Sequence, residues 1–260
     1  MTRVHPVAAA GFASAADIYE RARPSYPRDA IDWLVSQTGL GPGSTVVDLG
    51  AGTGKLTRLL LPTEARVVAV EPIAEMRAHI AGAEVVDGTA EAIPLPDGAA
   101  DVVTVAQAFH WFDHDRALPE IHRVLRDHGS LVLVWNMRDL DDPVQRGVED
   151  LLLAVRKEVP GQVAGTWREP LARSPLFGPA TVGAFTYEQR FTTDDLCDRV
   201  ASTSFVAALP PVGREELFVR IRALTHGLAE PFPFPYKTEV HVFPRSSDRE
   251  RSGRGTSTEG

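Results

Sequence analysis

Three glycines alternate in one short segment of the chain, between an acid and a lysine. Residues 46–55 read VVDLGAGTGK, an apolar run followed by Asp48, Gly50, Gly52 and Gly54. Glycine has no Cβ, so such a turn folds tightly and lets a ligand approach its backbone. A helix that begins directly after the turn directs its free N–H groups to the same place. The segment therefore predicts a binding site for a ligand with polar or anionic parts.

The spacing of the glycines distinguishes among the ligands that use such turns. A phosphate-binding P-loop has Ser or Thr after its lysine, whereas Leu56 follows Lys55 here, and Leu49 occupies the position of its first glycine. A dinucleotide-binding turn has two residues between its last two glycines, whereas this chain has one. Asp48 would repel a pyrophosphate and attract an ammonium or a sulfonium.

A second carboxylate ends the next apolar run. Glu71 closes the run at 67–71, seventeen residues after Gly54, where a carboxylate accepts hydrogen bonds from both hydroxyls of a ribose. Asp48, the glycines and Glu71 together describe a pocket for a nucleoside that lacks phosphates and carries positive charge. S-adenosylmethionine is such a nucleoside. The competing interpretation is a tight turn in which Asp48 only caps the helix.

The elements that position these residues alternate between strands and helices. Short β-branched runs at 45–49, 67–71 and 101–106 predict strands of a parallel sheet buried on both faces. Further strands are predicted at 84–87, 130–136, 185–191 and 237–243, the last an edge strand, and helices at 12–21, 29–37, 53–61, 74–80, 115–126, 143–159, 194–204 and 213–227, with an irregular stretch at 160–179. This alternation predicts a doubly wound α/β sheet with right-handed crossovers.

Composition is typical of a soluble globular protein, with 43% hydrophobic and 24% charged residues in a chain of 260. The net charge of −8 argues against nucleic acid or an anionic membrane as the main partner. The chain has one cysteine, Cys197, so it cannot form an intramolecular disulfide, and we expect a cytoplasmic location. We see no apolar run long enough to cross a membrane. The oligomeric state is left open.

The motifs resemble those of the class I S-adenosylmethionine-dependent methyltransferases. Residues 46–55 resemble the glycine-rich first motif of that family, and residues 70–72 (VEP) resemble the acidic second motif. Residues 87–96 (DGTAEAIPLP) are similar to the segment that lines the adenine. Residues 101–112 and 19–27 resemble the small-molecule branch of the family, which includes trans-aconitate-type carboxyl methyltransferases.

The resemblance implies one domain over residues 1–243. Its Rossmann-like sheet would have seven strands, mostly parallel with the last antiparallel, and helices on both faces. An N-terminal helical cap is expected at about 12–40 and a variable substrate region at about 139–182. Residues 244–260, rich in Ser, Arg and Gly, are predicted to form a disordered tail.

The resemblance also implies a set of cofactor ligands. Asp48 and the glycine turn would surround the methionyl part of S-adenosylmethionine, and Glu71 would hold the ribose. Thr89 and its neighbours would bracket the adenine, the alternative being a solvated loop. Tyr19 and Arg23 share a helix face and would close over the cofactor, unless Arg23 pairs with a surface acid. The predicted cofactor-binding residues are Tyr19, Arg23, Asp48, Gly50, Ala51, Gly52, Gly54, Glu71, Pro72, Thr89, Ala90, Glu91 and Gln107.

The acceptor pocket is predicted to lie beyond the fourth strand. Its residues are His110, Trp111, Asn136 and Arg138, and Arg138 would bind an acidic substrate. His110 has the native pKa range of a general base, but a histidine beside aromatic residues is at least as often a packed wall residue. We therefore treat His110 only as a candidate catalytic group. His110 and His114 alone do not make a metal site, so no metal is predicted.

The expected function is transfer of a methyl group from S-adenosylmethionine to a small molecule, through a carboxylate or another oxygen nucleophile. Three other functions stay open at this stage. One is a cyclase or lyase that uses the same cofactor on the same fold, and another is a non-catalytic S-adenosylmethionine-binding protein. The third, a nicotinamide oxidoreductase, is disfavoured by the glycine spacing and by Asp48.

Overall fold

A seven-stranded sheet forms the centre of the computed structural model, which describes residue 20 and residues 23–156 and 167–247. The strands are β1 (Thr45–Leu49), β2 (Arg66–Val70), β3 (Glu84–Val86), β4 (Ala100–Ala106), β5 (Leu125–Arg138), β6 (Thr181–Phe191) and β7 (Phe232–Pro244). Their order is β3-β2-β1-β4-β5-β7-β6. The pairs among β1 to β5 are parallel, and β7 is antiparallel to both β5 and β6. The predicted fold class is confirmed.

Helices connect and cover these strands. They are α1 (Arg28–Thr38), α2 (Lys55–Leu60), α3 (Ala74–Arg77), α4 (His114–Val124), α5 (Pro143–Val155), α6 (Arg168–Arg173), α7 (Thr193–Ala201), α8 (Ser204–Ala207) and α9 (Pro211–Leu224), with 3-10 turns at Leu61–Thr63 and Phe109–Trp111. Among the described residues, no helix has the length and apolar character needed to cross a membrane.

Alternate residues of the inner strands enter hydrophobic cores on opposite faces of the sheet. Val47 and Leu133 belong to the core that includes α4, whereas Val46 and Val132 belong to the core that includes α1 and α2. A third core joins α5, α7 and α9 to the first half of β7. The first half of β7 thus packs against helices from the second half of the chain.

The prediction that 237–243 is an edge strand is wrong. Residues 236–244 of β7 pair with β5, and residues 232–242 pair with β6, so β7 is interior and β6 lies at the end of the sheet. Pro233 and Pro235 precede the part that pairs with β5. Proline donates no backbone hydrogen bond, so it is tolerated there, where β7 has a neighbour on one side.

Two further boundaries differ from the prediction. The stretch expected to be irregular at 160–179 contains α6. The tail expected from residue 244 begins with ordered residues: Pro244 ends β7, Arg245 N donates to Gly129 O at 2.9 Å, and Ser246 N donates to Leu176 O at 2.9 Å. Residues 248–260 and most of the predicted helix at 12–21 lie outside the described residues.

Candidate active site

A cavity of about 290 Å³ lies along the carboxyl edge of the parallel strands. Its lining includes residues 50–53 after β1, Gln107 after β4, residues 136–138 at the end of β5, and Tyr236 of β7. The carboxyl ends of parallel strands meet at one edge of a sheet, which is where ligands bind in this class of fold. The cavity therefore runs from the glycine turn to the antiparallel part of the sheet.

The cavity brings together about half of the predicted site. It is lined by Arg23, Gly50, Ala51, Gly52, Gln107, His110, Trp111, Asn136 and Arg138. Its lining does not include Asp48, Gly54, Glu71, Pro72, Thr89, Ala90 or Glu91. Tyr19 lies outside the described residues. Contact of these eight residues with a cofactor stays a prediction.

The N–H groups of the glycine turn bind acceptors inside the protein. Gly50 N and Ala51 N donate to the last carbonyl of β2 at 2.8 and 3.2 Å, and Gly54 N donates to Ala51 O at 2.9 Å. Gly52 N donates to Glu71 Oε2 at 2.9 Å. These four N–H groups are therefore not free donors. A pyrophosphate would find them occupied, which agrees with the exclusion of phosphate ligands by spacing.

Glu71 connects the glycine turn to the segment before α3. Its Oε2 accepts from Gly52 N and its Oε1 accepts from Ile73 N, both at 2.9 Å. Burial raises the pKa of Glu71, and these two hydrogen bonds oppose the rise. A carboxylate oxygen has a second lone pair, so both oxygens retain capacity for another donor. This arrangement fits a carboxylate that also accepts the two hydroxyls of a ribose.

Asp48 lies in the interior of the protein. It is 1% exposed, its Oδ2 accepts from Thr57 Oγ1 at 2.6 Å, and its Oδ1 accepts from Thr104 Oγ1 at 3.1 Å. Burial raises the pKa of Asp48 to about 6, against the lowering effect of the threonine hydroxyls. The side chain thus ties β1 to α2 and β4.

We expect Asp48→Asn to raise the free energy of unfolding at neutral pH by up to about 3 kcal/mol. The native pKa of about 6 exceeds the ordinary 3.8, so the stabilising effect of the bound proton is lost as pH rises through about 6. Asparagine does not ionise. The Thr104 hydroxyl would keep a second acceptor in the variant, because Val47 O lies 3.4 Å from Thr104 Oγ1. Urea unfolding of both proteins from about pH 4 to about pH 8 measures the difference. A difference that stays constant over this range would contradict the ionised carboxylate as its cause.

The segment after β3 contains one group suited to a ligand. Thr89 Oγ1 is buried and has no hydrogen-bond partner within the described part of the chain. Such a group is usually satisfied by water or a ligand. Its neighbours have other contacts, because Ala90 is 3% exposed in the core and Glu91 Oε1 accepts from Asp113 N at 3.0 Å. Of the predicted adenine segment, Thr89 fits a ligand contact best.

Gln107 has a backbone conformation that is uncommon for a residue with a side chain. Its φ is 58°, and β5 holds it, since Gln107 N donates to Val134 O at 3.1 Å and Nε2 donates to Asn136 O at 3.2 Å. Asn136 in turn donates to Ser25 O at 2.9 Å and accepts from Thr238 Oγ1 at 2.6 Å. Strained residues of this kind cluster at ligand sites, and this one lies midway along the cavity.

The N-terminal segment is fastened beside the glycine turn. Lys55 Nζ donates to Glu20 O at 2.6 Å, and Arg58 Nη2 pairs with Glu20 Oε1 at 2.5 Å. Arg23 lines the cavity and donates from Nη2 to Ser202 O at 3.0 Å, beside the end of α7. Glu20 is thus bonded beside the glycine turn, and Arg23 is bonded beside the end of α7.

The far end of the cavity is rich in arginine. Arg138 forms a close ion pair with Glu149 of α5 through Nη1 and Oε2. Burial and the charge of Arg199 lower the pKa of Arg138, while Glu149 opposes the shift. Arg199 of α7 is 8% exposed and donates from Nε to Tyr236 Oη at 3.3 Å. Two guanidinium groups thus share this end with one carboxylate.

Comparison with known proteins assigns the chain to a family. A family model described as a methyltransferase domain matches residues 47–133, which contain the glycine turn, Glu71 and Gln107. An uncharacterised methyltransferase from Mycobacterium tuberculosis is 41% identical over 236 residues, which span 85% of this chain and 91% of that relative. The chain belongs to the methyltransferase family.

Other relatives agree with this assignment. An uncharacterised methyltransferase-like protein from Schizosaccharomyces pombe is 36% identical over 208 residues, 78% of this chain and 81% of the relative. The structure of a protein from Anaeromyxobacter dehalogenans, provisionally assigned as a type II methyltransferase, superposes with a TM-score of 0.64. It is 24% identical and covers 86% of this chain and 97% of its own, so it supports the fold alone. The chain is therefore an S-adenosylmethionine-dependent methyltransferase with a Rossmann-like fold.

His110 of this methyltransferase is part of an aromatic wall. Its ring centroid lies 4.7 Å from that of Trp111 and 5.7 Å from that of Trp135. Burial, with the charges of Arg23 and Arg156, lowers the pKa of His110 to about 3. An imidazole with so low a pKa is a weak base, so its burial argues against His110 as a general base at neutral pH.

We expect His110→Asn to change kcat by less than about threefold, because a general base contributes about 10²–10⁴. Since the native pKa is about 3, His110 also produces no inflection in the pH profile of kcat near neutrality. The measurement is kcat of both proteins between about pH 5 and about pH 8, with an acceptor that the wild type methylates. A hundredfold loss together with a lost inflection would restore His110 as the base.

The sequence reasoning missed the residues that complete the arginine-rich end. Arg156, Arg199, Thr203 and Tyr236 line the methyltransferase cavity, and none was predicted. One signal was present for Arg199: it lies three residues after Leu196 on the apolar face of α7, where a charge is out of pattern.

Proposed function

We propose that this methyltransferase binds S-adenosylmethionine across the glycine turn, Glu71 and Thr89, and methylates a small molecule bound toward Arg138. One observation carries the proposal: a single cavity joins the glycine turn to the polar groups at the end of β5 and to Tyr236 of β7. A space is open at the turn, because a Cβ added to Gly52 would meet no atom within 4 Å. The carboxylate of Glu71 and the hydroxyl of Thr89 fit the polar edges of a nucleoside.

The volume of the cavity favours a small acceptor. About 290 Å³ is near the lower end of the range for small-molecule pockets, and part of the cavity would be taken by the methionyl group. The net charge of −8 favours a small molecule over nucleic acid. We also propose a cytoplasmic location, which the single, buried Cys197 supports.

The residues of the site would work by alignment. Bound S-adenosylmethionine supplies a methyl group on a sulfonium whose sulfur leaves as a neutral thioether, so no acid catalyst is required. Glu71 would fix the nucleoside, while the wall of Gln107, His110 and Trp111 would exclude water from the reacting atoms. A carboxylate acceptor needs no general base, which agrees with the low pKa of His110.

Calorimetric titration with S-adenosylmethionine and S-adenosylhomocysteine tests the cofactor site. We expect saturable binding of both, and its absence from folded protein would overturn the proposal. Incubation of acceptor mixtures with methyl-labelled S-adenosylmethionine, followed by mass spectrometry, tests the reaction. Incorporation of label supports methyl transfer, whereas an unlabelled product with consumption of the cofactor would support the cyclase or lyase alternative.

A further inference from the structure

The cavity has the opposite charge from the chain as a whole. Among the described residues that line it, five have cationic side chains and one has a carboxylate: Arg23, Lys55, Arg138, Arg156 and Arg199, against Glu149. The chain overall has a net charge of −8. A concave site lined by one sign of charge concentrates ligands of the opposite sign. The imbalance therefore indicates an anionic ligand.

The cations near the glycine turn are neutralised or bonded by the protein. Lys55 donates to Glu20 O at 2.6 Å and lies 3.7 Å from Glu20 Oε2. Arg23 donates to Ser202 O at 3.0 Å. At the far end, Glu149 is engaged by Arg138. At this end, Arg199 and Arg156 form no ion pair within the described residues.

Arg199 is held in place with a donor unused. Arg199 is 8% exposed, and its Nε donates to Tyr236 Oη at 3.3 Å. Its Nη1 is buried and has no hydrogen-bond partner in the described ranges, and no carboxylate there lies within 4.0 Å of it. Thr203 Oγ1, also buried without a partner, lines the same cavity. A buried unpaired guanidinium donor is costly, and an oxyanion would satisfy it.

The open side of the same cavity is apolar. Two large exposed aliphatic side chains line it, Leu140 and Leu153, which are 45% and 55% exposed. Phe205 and Met137 add further apolar surface to the lining. An occupant that contacts both this surface and Arg199 must be amphiphilic.

We propose, on the basis of the methyltransferase function above, that the acceptor is an amphiphilic acid whose carboxylate or phosphate group binds Arg199 and Thr203. Its apolar part lies against Leu140, Leu153 and Phe205. Glu149 neutralises Arg138 and leaves Arg199 as the anion-binding group. Arg199 is in this view a specificity-determining residue.

The test is calorimetric binding of octanoate, octyl phosphate, octanamide and acetate to the full chain, with and without saturating S-adenosylhomocysteine. Octanoate and octyl phosphate distinguish the two possible anions, octanamide is the neutral control, and acetate lacks the apolar chain. We expect one of the two C8 anions to bind at least about tenfold more tightly than octanamide and acetate. Equal affinity for octanamide and both anions would overturn the proposal.

Variants then locate the anion. Arg199→Gln should weaken binding of the preferred anion at least about tenfold, the effect of one charge-assisted hydrogen bond, and leave the S-adenosylhomocysteine affinity unchanged. Arg220→Gln removes the same charge from the exposed surface of α9 and should leave both affinities unchanged. Thr203→Val is nearly isosteric and tests the same site, with a smaller loss, should Arg199→Gln fold poorly.

Two results would contradict the assignment of Arg199. Wild-type affinity for the anion in both Arg199→Gln and Thr203→Val would show that the anion binds elsewhere. If Arg199→Gln lost S-adenosylhomocysteine binding but bound the anion as the wild type does, Arg199 would instead bind the carboxylate of the cofactor. Absence of S-adenosylhomocysteine binding by the wild type would instead refute the cofactor site proposed above, whatever the result for the anions.

Discussion

Glu71→Gln is expected to weaken S-adenosylhomocysteine binding about 10- to 150-fold, the effect of losing hydrogen bonds to a charged group. In the native protein both carboxylate oxygens accept backbone N–H groups, from Gly52 and Ile73. Glutamine has one oxygen, so its amide nitrogen would face one of these donors and leave it unsatisfied. We therefore also expect a loss of about 1–3 kcal/mol in the free energy of unfolding. Calorimetry and urea unfolding measure the two effects separately.

Glu84→Gln is the matched control for this substitution. Glu84 lies on the neighbouring strand β3 and forms an ion pair with Arg66 at 2.6 Å, with 46% of its side chain exposed. A surface pair of this kind contributes at most about 1 kcal/mol, and it is remote from the cavity. If Glu71→Gln lost stability but bound S-adenosylhomocysteine as the wild type does, Glu71 would be a structural tie and not a ribose ligand.

Gly50→Ala and Gly52→Ala are expected to fail in different ways. Both glycines have positive φ, 69° and 57°, so an added Cβ costs about 1–2 kcal/mol at either position. At Gly50 the Cβ would also lie 2.9 Å from Ala108 Cβ, and such overpacking adds about 1–3 kcal/mol. We expect Gly50→Ala to lose about 2–5 kcal/mol of stability. Gly52→Ala should lose only about 1–2 kcal/mol, which arises from its positive φ.

Gly52→Ala, the more stable of the two variants, is the one expected to lose affinity for S-adenosylhomocysteine through direct contact. The Cβ of Gly52→Ala would enter open space in the cavity lining, where the cofactor is proposed to approach the turn. We expect at least about tenfold weaker S-adenosylhomocysteine binding by this variant, although it is the more stable of the two. Binding by Gly52→Ala equal to that of the wild type would mean that the cofactor does not approach the turn at Gly52.

Most of the fold was predictable from sequence patterns that reflect burial, whereas the position of β7 in the sheet was not, because burial does not determine which strands are neighbours. The strand at 45–49 was predicted to the residue because its apolar run reflects a parallel strand covered on both faces. The alternation at 237–243 shows which residues face the core, and edge position depends on the neighbouring strands instead. No local pattern indicated that β7 inserts between β5 and β6.

The residues of the site were predictable where a single turn positions them. They were less predictable where several elements pack together to form the site. The glycine turn and Glu71 are set by neighbouring strands, and they are joined by a hydrogen bond. The carboxylate of Asp48 bonds instead to Thr57 and Thr104, contacts that depend on how α2 and β4 pack on β1. Arg199 reaches the cavity from α7, more than 140 residues after the turn, and only the assembled sheet shows it there.

Because β7 is the last strand in the chain but lies inside the sheet, the sheet can be completed only after the end of the chain has been synthesised. The strands that carry the glycine turn, Glu71 and Gln107 all precede residue 138, so they can pair on a nascent chain before β6 and β7 leave the ribosome. Tyr236, which accepts from Arg199, belongs to the last strand, which must enter between two strands made earlier. A ribosome stalled before residue 232 would therefore present the proposed cofactor site before the proposed acceptor site is complete.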